Sequence, residues 1–198
     1  TGTLNIDESR QLQLITQYYK SQGDDDYGLN LGKGFSAIRG TSTPFVSNGL
    51  NSDRIPGTER HLISLQYSDS AFLGQELVGQ VYYRDESLRF YPFPTVNANK
   101  QVTAFSSSQQ DTDQYGMKLT LNSKPMDGWQ ITWGLDADHE RFTSNQMFFD
   151  LAQASASGGL NNKKIYTTGR YPSYDITNLA VFLQSGYDIN NLFTLSVH

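Results

Sequence analysis

The sequence contains no cysteine, which excludes a disulfide scaffold, a thiolate zinc site and a cysteine nucleophile. Charged residues are sparse, at 18% of the 198 residues, against roughly 25% in an average soluble domain. The 15 basic residues are outnumbered by 20 acidic ones, so the formal charge is −5. Because there is no excess of positive charge to attract phosphates, we expect no nucleic-acid partner.

Long apolar runs are also missing. The longest unbroken one covers residues 179–183, whereas a transmembrane helix needs about 20 apolar residues. The N-terminus has neither the basic region nor the apolar region of a secretion signal. We therefore expect no membrane-spanning helix, and either a removed signal or an internal piece of a longer chain.

What the sequence does contain is alternation of apolar and polar residues, the pattern of β-strands. The clearest example begins at Trp129. Because successive strand residues face opposite sides, it predicts one apolar face and one polar face. The apolar face carries Trp129, Ile131, Trp133, Leu135 and Ala137, and the polar face carries Gln130, Thr132, Gly134, Asp136 and Asp138. Similar runs predict further strands at about 11–20, 60–67, 77–84, 114–122 and 178–187, with a seventh beginning at 192 and an eighth at 3–6.

The connectors between these runs alternate in length. Short ones at 7–9, 69–74, 125–128 and 189–191 fall at one end of the strands, and long ones at about 21–58, 91–110 and 149–175 fall at the other. Outer-membrane barrels have short periplasmic turns, long extracellular loops and interfacial aromatic girdles. The pattern favours an all-β, antiparallel, up-and-down transmembrane β-barrel with a polar lumen. The candidate girdle residues are Tyr18, Tyr19, Tyr67, Tyr115, Trp129 and Tyr187.

Two other interpretations remain open at this point. Alternation with many aromatics also describes a soluble all-β module, for example a carbohydrate-binding sandwich. A small closed barrel with enzyme activity is the third candidate. Seven or eight strands would leave unpaired edges that lipid cannot satisfy, so the membrane interpretation implies that the chain is a segment of a larger barrel, unless a second copy or a rearrangement closes the sheet.

Two stretches resemble the barrels of TonB-dependent siderophore receptors: QVYYRDESLRFYPFP at 80–94 and DITNLAVFLQSGYDI at 175–189. The resemblance implies a 22-stranded outer-membrane barrel around a plug domain. It also implies that the receptor binds an Fe(III)–siderophore outside the cell and imports it with energy passed on by TonB. The plug and the TonB-contacting segment are not in this sequence, so residues 1–198 are expected to form part of the barrel domain. Iron would arrive inside its siderophore, so no protein-bound cofactor is expected.

A fully coordinated, anionic ferric siderophore calls for Arg, Lys and Tyr donors rather than metal ligands. Tyr82 and Arg84 share a polar strand face and are the favoured candidates. For each candidate, a solvated surface position or a lumen salt bridge is the alternative. The complete set of candidates is Tyr82, Arg84, Arg89, Tyr91, Arg141, Arg39, Lys163, Lys164 and Arg170.

Other polar groups give weaker signals. Asp136, Asp138 and Glu140 share one strand face, which would suit acid–base chemistry, Ca²⁺ binding or, as we favour, solvated lumen groups paired with neighbouring Lys or Arg. The histidines lack zinc-site spacing. No nucleophile-elbow, phosphate-loop or dinucleotide motif is present, so we expect no enzyme activity.

Overall fold

The computed structural model describes residues 1–22, 51–190 and 193–197. Its elements, in chain order, are β1 (Gly2–Asn5), β2 (Arg10–Gln22), β3 (Asn51–Ser52), β4 (Gly57–Phe72), β5 (Gln75–Arg89), β6 (Phe93–Val96), β7 (Val102–Met126), β8 (Trp129–Phe149), α1 (Leu151–Ala156), β9 (Asn161–Asn162), β10 (Lys164–Gly169), β11 (Tyr174–Asn190) and β12 (Phe193–Val197).

The long strands form one antiparallel sheet in which spatial neighbours follow chain order. Within the described ranges the order is β1-β2-β4-β5-β7-β8-β11-β12, with β6 paired to β7 and β10 paired to β8. Strands β3 and β9 form a separate, short parallel pair. This arrangement confirms the predicted all-β, antiparallel, up-and-down fold, including the short first strand.

The connectors differ in length between the two ends of the sheet. At one end, β4 and β5 are joined by Leu73 and Gly74, whose φ angles of 50° and 78° are the positive values that a tight type I′ hairpin needs. At the same end, Asp127 and Gly128 join β7 to β8. The opposite end, here called the long-connector end, carries the chain between β2 and β4, between β5 and β7, and between β8 and β11.

Two of the predicted long connectors are more regular than expected. The region expected at 91–110 contains β6 and the first part of β7, which is 25 residues long. The region expected at 149–175 contains α1, β9 and β10. The alternation signal fails here because Ser106, Ser107 and Ser108 are fully buried polar residues in a strand, and such a run carries no apolar period.

The two faces of the sheet differ strongly in chemistry. In-register partners build apolar rows across the strands, such as Leu12, Tyr67, Gly79, Leu119, Leu135 and Val181. We call this side the apolar face. Leu179 is 72% exposed and Val181 75% exposed, so within the described residues no second layer covers them. Of the candidate girdle residues, Tyr19 alone lies on the opposite face, in register with Arg60.

The opposite side is the polar face. Its rows include Gln13, Gln66, Gln80, Lys118 and Asp136. Burial of such a face in hydrocarbon is not favourable, whereas exposure of the apolar face to water costs free energy. In the described part of the chain, no helix combines the length and apolarity needed to cross a membrane.

A small core lies at the long-connector end on the apolar-face side. Phe105, Phe149 and Ala154 are buried together, with Val102, Met147 and Leu151 packed around them. Asp150 caps α1 by accepting a hydrogen bond from the backbone N–H of Gln153 at 2.8 Å. This core fixes the connector between β8 and β10 against the extended ends of β7 and β8.

Candidate functional site

The middle of the polar face carries paired charges. Lys118 Nζ lies 2.9 Å from Asp136 Oδ2, and Asn178 Nδ2 donates to Asp138 Oδ2 at 3.0 Å. Asp136 therefore has a lysine partner on the neighbouring strand, as favoured from the sequence, whereas Asp138 and Glu140 accept hydrogen bonds from uncharged side chains. Among the described residues, no three His, Asp or Glu side chains are grouped so as to hold a metal ion.

Tyr82 and Arg84, the favoured candidates, lie side by side on this face. The Tyr82 phenol lies across Gly116: a Cβ built at that glycine would be 2.7 Å from Tyr82 Oη. Arg84 is in register with Leu62 and Gln114. Its Nε is buried and has no hydrogen-bond partner among the described residues, which leaves it available to an acceptor.

A second group gathers at the long-connector end of the polar face. Phe142 stacks on Tyr174 with ring centroids 4.9 Å apart, and Phe148 stacks on Tyr166 at 4.7 Å. The guanidinium of Arg170 lies 5.7 Å from the Phe93 ring centroid. We call this set of residues, which extends over about 20 Å along β8 from Phe142 to Phe148, the aromatic cluster: Phe93, Phe142, Phe148, Tyr166, Arg170 and Tyr174.

Arg170 is held in the aromatic cluster by several contacts. It donates through Nη1 to Ser108 Oγ, its backbone N–H donates to Ser144 O at 3.2 Å, and its guanidinium lies 5.1 Å from the Tyr171 ring centroid. Stacking on aromatic rings and a serine contact still leave most of the five guanidinium donors free to bind an anion. A rigid cation among rings is suited to recognising a planar or chelated anionic ligand.

The sequence predicted Arg170 as a candidate ligand-binding residue but did not predict the other members of the aromatic cluster. Phe93 and Tyr166 lie in regions that were expected to be loops, and Phe142 and Phe148 lie beyond the clear alternation. It also missed Arg60, whose guanidinium forms two hydrogen bonds to Glu86 at 2.9 and 3.1 Å on the same face. Phe142 and Phe148 are each an even number of residues from Asp136. Because strand residues separated by an even number share a face, this spacing predicts that both rings lie on the polar face.

The polar-face candidates do not form one contact site. Gln114 is in register with Arg84, and Ser108 contacts Arg170. Both lie on β7, and positions 108 and 114 are about 20 Å apart along an extended strand. A single small ligand therefore cannot bridge Arg84 and Arg170 without moving along the face.

Arg89 and Arg141 lie on the other side of the sheet. Arg141 Nε donates to Asp175 Oδ1 at 3.0 Å, and Arg89 Nη2 lies 3.3 Å from Glu59 Oε2. Both arginines sit at strand positions that share the apolar face with Val81 and Leu135. This placement separates them from Tyr82 and Arg84, with which the sequence reasoning had grouped them.

Lys163 and Lys164 belong to a contact between connectors, which we call the clasp. The Lys164 backbone N–H donates to Asp53 Oδ2 at 2.7 Å, and Lys163 Nζ lies 3.4 Å from Asp53 Oδ1. The Lys164 amide and the Lys163 charge hold the pKa of the Asp53 carboxyl below its ordinary value. The clasp continues into the pairing of β3 with β9.

The remaining two candidates are less well defined. Tyr91 lies between β5 and β6 and is 41% exposed. Arg39 lies outside the described residues.

Comparison with known proteins finds two near-identical relatives. No family model matches the chain. A ferric aerobactin receptor of Klebsiella pneumoniae is 99% identical over 196 residues, and one of Escherichia coli is 98% identical over 196 residues; each alignment covers 99% of this chain. Over nearly its whole length the chain is similar to siderophore receptors. A rhizobactin receptor of Rhizobium meliloti (strain 1021) is 38% identical over 191 residues, 96% of this chain.

The chain is short beside these relatives. It spans 27% of the length of the two ferric aerobactin receptors and 26% of the rhizobactin receptor. Its antiparallel sheet, with one apolar and one polar face, is the architecture expected of part of a barrel.

Proposed function

We propose that this chain is part of an outer-membrane receptor that binds an Fe(III)–siderophore, ferric aerobactin, and imports it with energy supplied by TonB. The observation that carries the proposal is the 98–99% identity to proteins named ferric aerobactin receptors. The contact with TonB is assigned to the plug implied by the family resemblance. No catalytic step is assigned to the chain.

The chemistry of the sheet supports placement in a bilayer. The apolar face carries rows of Leu, Val, Met and aromatic side chains, many of them more than 40% exposed. A large uncovered apolar surface is costly in water, and lipid acyl chains would remove that cost. The soluble-module alternative needs a second layer over this face, and the described residues provide none.

The polar face supports passage of an anionic complex. We assign first contact to the aromatic cluster at the long-connector end, which we take to face the cell exterior, because it combines ring surfaces with the Arg170 guanidinium. Arg84, with Tyr82 beside it, lies about 20 Å from Arg170 along the same face. The siderophore supplies every ligand to the iron, so the protein acts by hydrogen bonds, charge and stacking, and iron is cargo rather than a resident cofactor.

Two arginines on opposite faces give a matched test in the full-length receptor. Arg170→Gln removes the cation from the aromatic cluster, whereas Arg141→Gln removes an exposed arginine from the apolar-face side. A charge-assisted hydrogen bond contributes about 1.5–3 kcal/mol, so Arg170→Gln should weaken equilibrium binding of ferric aerobactin about tenfold or more. Arg141→Gln should change it less than twofold.

These measurements test the assignment of Arg170 separately from the proposed function. Equal affinity in both variants would remove Arg170 from the site. Failure of the unmodified receptor to bind ferric aerobactin in detergent, with other ferric siderophores as comparison ligands, would contradict the proposed function itself.

A further inference from the structure

A polar pocket of about 310 Å³ lies at the long-connector end, on the apolar-face side of the sheet. It is therefore on the opposite side from the aromatic cluster. Its basic residues come from three elements: Lys20 from β2, Arg54 from the segment before β4, and Arg89 from β5. Three cations around one small pocket are unusual in a chain whose formal charge is −5.

Arg54 forms the rigid floor of this pocket. The residue is only 6% exposed. Its Nη1 donates to Ser107 O at 2.8 Å, and its Nη2 donates to Asn145 Oδ1. Burial and the nearby charge of Arg89 lower the pKa of Arg54, while Asp111 opposes that effect. These contacts hold a positive charge at a fixed position with incomplete compensation.

The other two cations have free hydrogen-bonding capacity. Arg89 Nε is buried and has no hydrogen-bond partner within the described ranges, although Arg89 Nη2 lies 3.3 Å from Glu59. Lys20 is exposed beside the pocket. The carboxylate of Asp53, which also lines the pocket, already accepts from the clasp. The pocket therefore offers donors and positive charge but few free acceptors.

We propose that this pocket binds a phosphate group. Guanidinium groups match the geometry of phosphate oxygens, and a flexible ammonium adds charge without a fixed direction. A phosphate would satisfy the free Arg89 Nε and relieve the repulsion between Arg54 and Arg89. Nothing in the proposed siderophore route uses this pocket, since the route runs along the opposite face.

The position of the pocket is compatible with two sources of phosphate. Tyr83 and Tyr115 are paired in an aromatic row of the apolar face, and positions 83 and 89 on β5 are about 20 Å apart along the strand. A strand tilt of about 40° places the pocket about 15 Å above that row. A phosphorylated lipid of the outer leaflet and free inorganic phosphate both offer the required chemistry, and the experiment must distinguish them.

The test uses the purified full-length receptor in detergent and two probes. Inorganic phosphate is titrated and followed by ³¹P line broadening. A diphosphorylated glycolipid is titrated in micelles, with its dephosphorylated form as the comparison ligand. The variant is Lys20→Gln with Arg89→Gln, which spares the buried Arg54. The control is Lys100→Gln with Lys124→Gln, two exposed lysines outside the pocket lining.

We expect the pocket variant to lose at least tenfold in affinity for phosphate, and the control to stay within twofold of the unmodified receptor. Binding of both probes assigns the site to phosphate as such, and binding of the phosphorylated glycolipid alone assigns it to a lipid headgroup. Glu59→Gln, which frees Arg89, should strengthen binding severalfold and provides a readout if the pocket variant fails to fold. No binding of either probe, or equal affinity in pocket variant and control, overturns the proposal.

Discussion

The phenol of Tyr82 lies across Gly116 on the neighbouring strand, so close that a Cβ at position 116 would stand 2.7 Å from Tyr82 Oη and 2.8 Å from Ala137 O. The absence of a side chain at 116 therefore sets where a candidate ligand-binding tyrosine can lie. Glycine inside a strand commonly marks such a close approach, and here the approaching group is an aromatic ring from the adjacent strand.

Gly116→Ala should displace Tyr82 and lower stability. We expect a loss of about 1–3 kcal/mol in the free energy of unfolding, typical of inserting a group into an occupied space, measured by urea unfolding of the full-length receptor in bilayers. Gly79→Ala on β5 is the control, because its added Cβ meets only Leu119 Cδ1 at 3.7 Å. A stability loss at Gly79 as large as that at Gly116 would show that the ring contact is not the cause.

The introduction of arginine at Val181 or at Ala180 tests the assignment of the two faces. Val181→Arg places a charge on the apolar face and should cost about 2–4 kcal/mol of unfolding free energy if the site lies near the bilayer midplane. Ala180→Arg places the same charge on the polar face, in register with Asp136, and should cost little. The same urea measurement applies, and equal costs would mean that the faces are assigned wrongly.

The clasp should weaken in acid. The pKa of Asp53 is depressed in the folded protein, chiefly by the Lys164 amide, so its stabilising contribution is present above the unfolded-state pKa and is lost as the pH falls through the folded-state pKa. Hydrogen exchange of a peptide covering 161–169, corrected for the intrinsic pH dependence, should show protection at neutral pH that disappears in acid. The Asp53→Asn variant should show, at every pH, the low protection that the unmodified protein shows in acid. Pronounced protection in that variant would contradict the role of the carboxylate.

The strands that build the apolar face were predictable because one side of each strand is apolar and the other side is polar. Alternation located β8 from Trp129 and β5 through Arg84, and the in-register rows then followed from antiparallel pairing. Beyond the rows of the apolar face neither side is continuously apolar, so Ser106, Ser107 and Ser108 in β7 and the chain of β10 carry no apolar period. Alternation also predicts that Arg141 shares a face with Leu135. Arg141 was nevertheless a ligand-binding candidate because it lies near the end of its strand.

The sites were less predictable than the strands. Arg54 and Asp53 are distant in sequence from Asn145 and Lys164, and only the folded connectors bring them together. The stacking of Phe142 on Tyr174 depends on the register of β8 with β11, which local sequence does not specify. Tyr82 and Arg84 could be grouped as candidates from the sequence because they lie on one strand.

We propose that the apolar face contacts lipid while the polar face lines an aqueous route. Since the segment has no cysteine, a single cysteine at 181 or at 180 can carry an environment-sensitive fluorophore in the full-length receptor, provided that any cysteines elsewhere in it are replaced. Brominated lipids should quench the label at 181 strongly and the label at 180 weakly. Equal quenching at both positions, or stronger quenching at 180, would contradict the account.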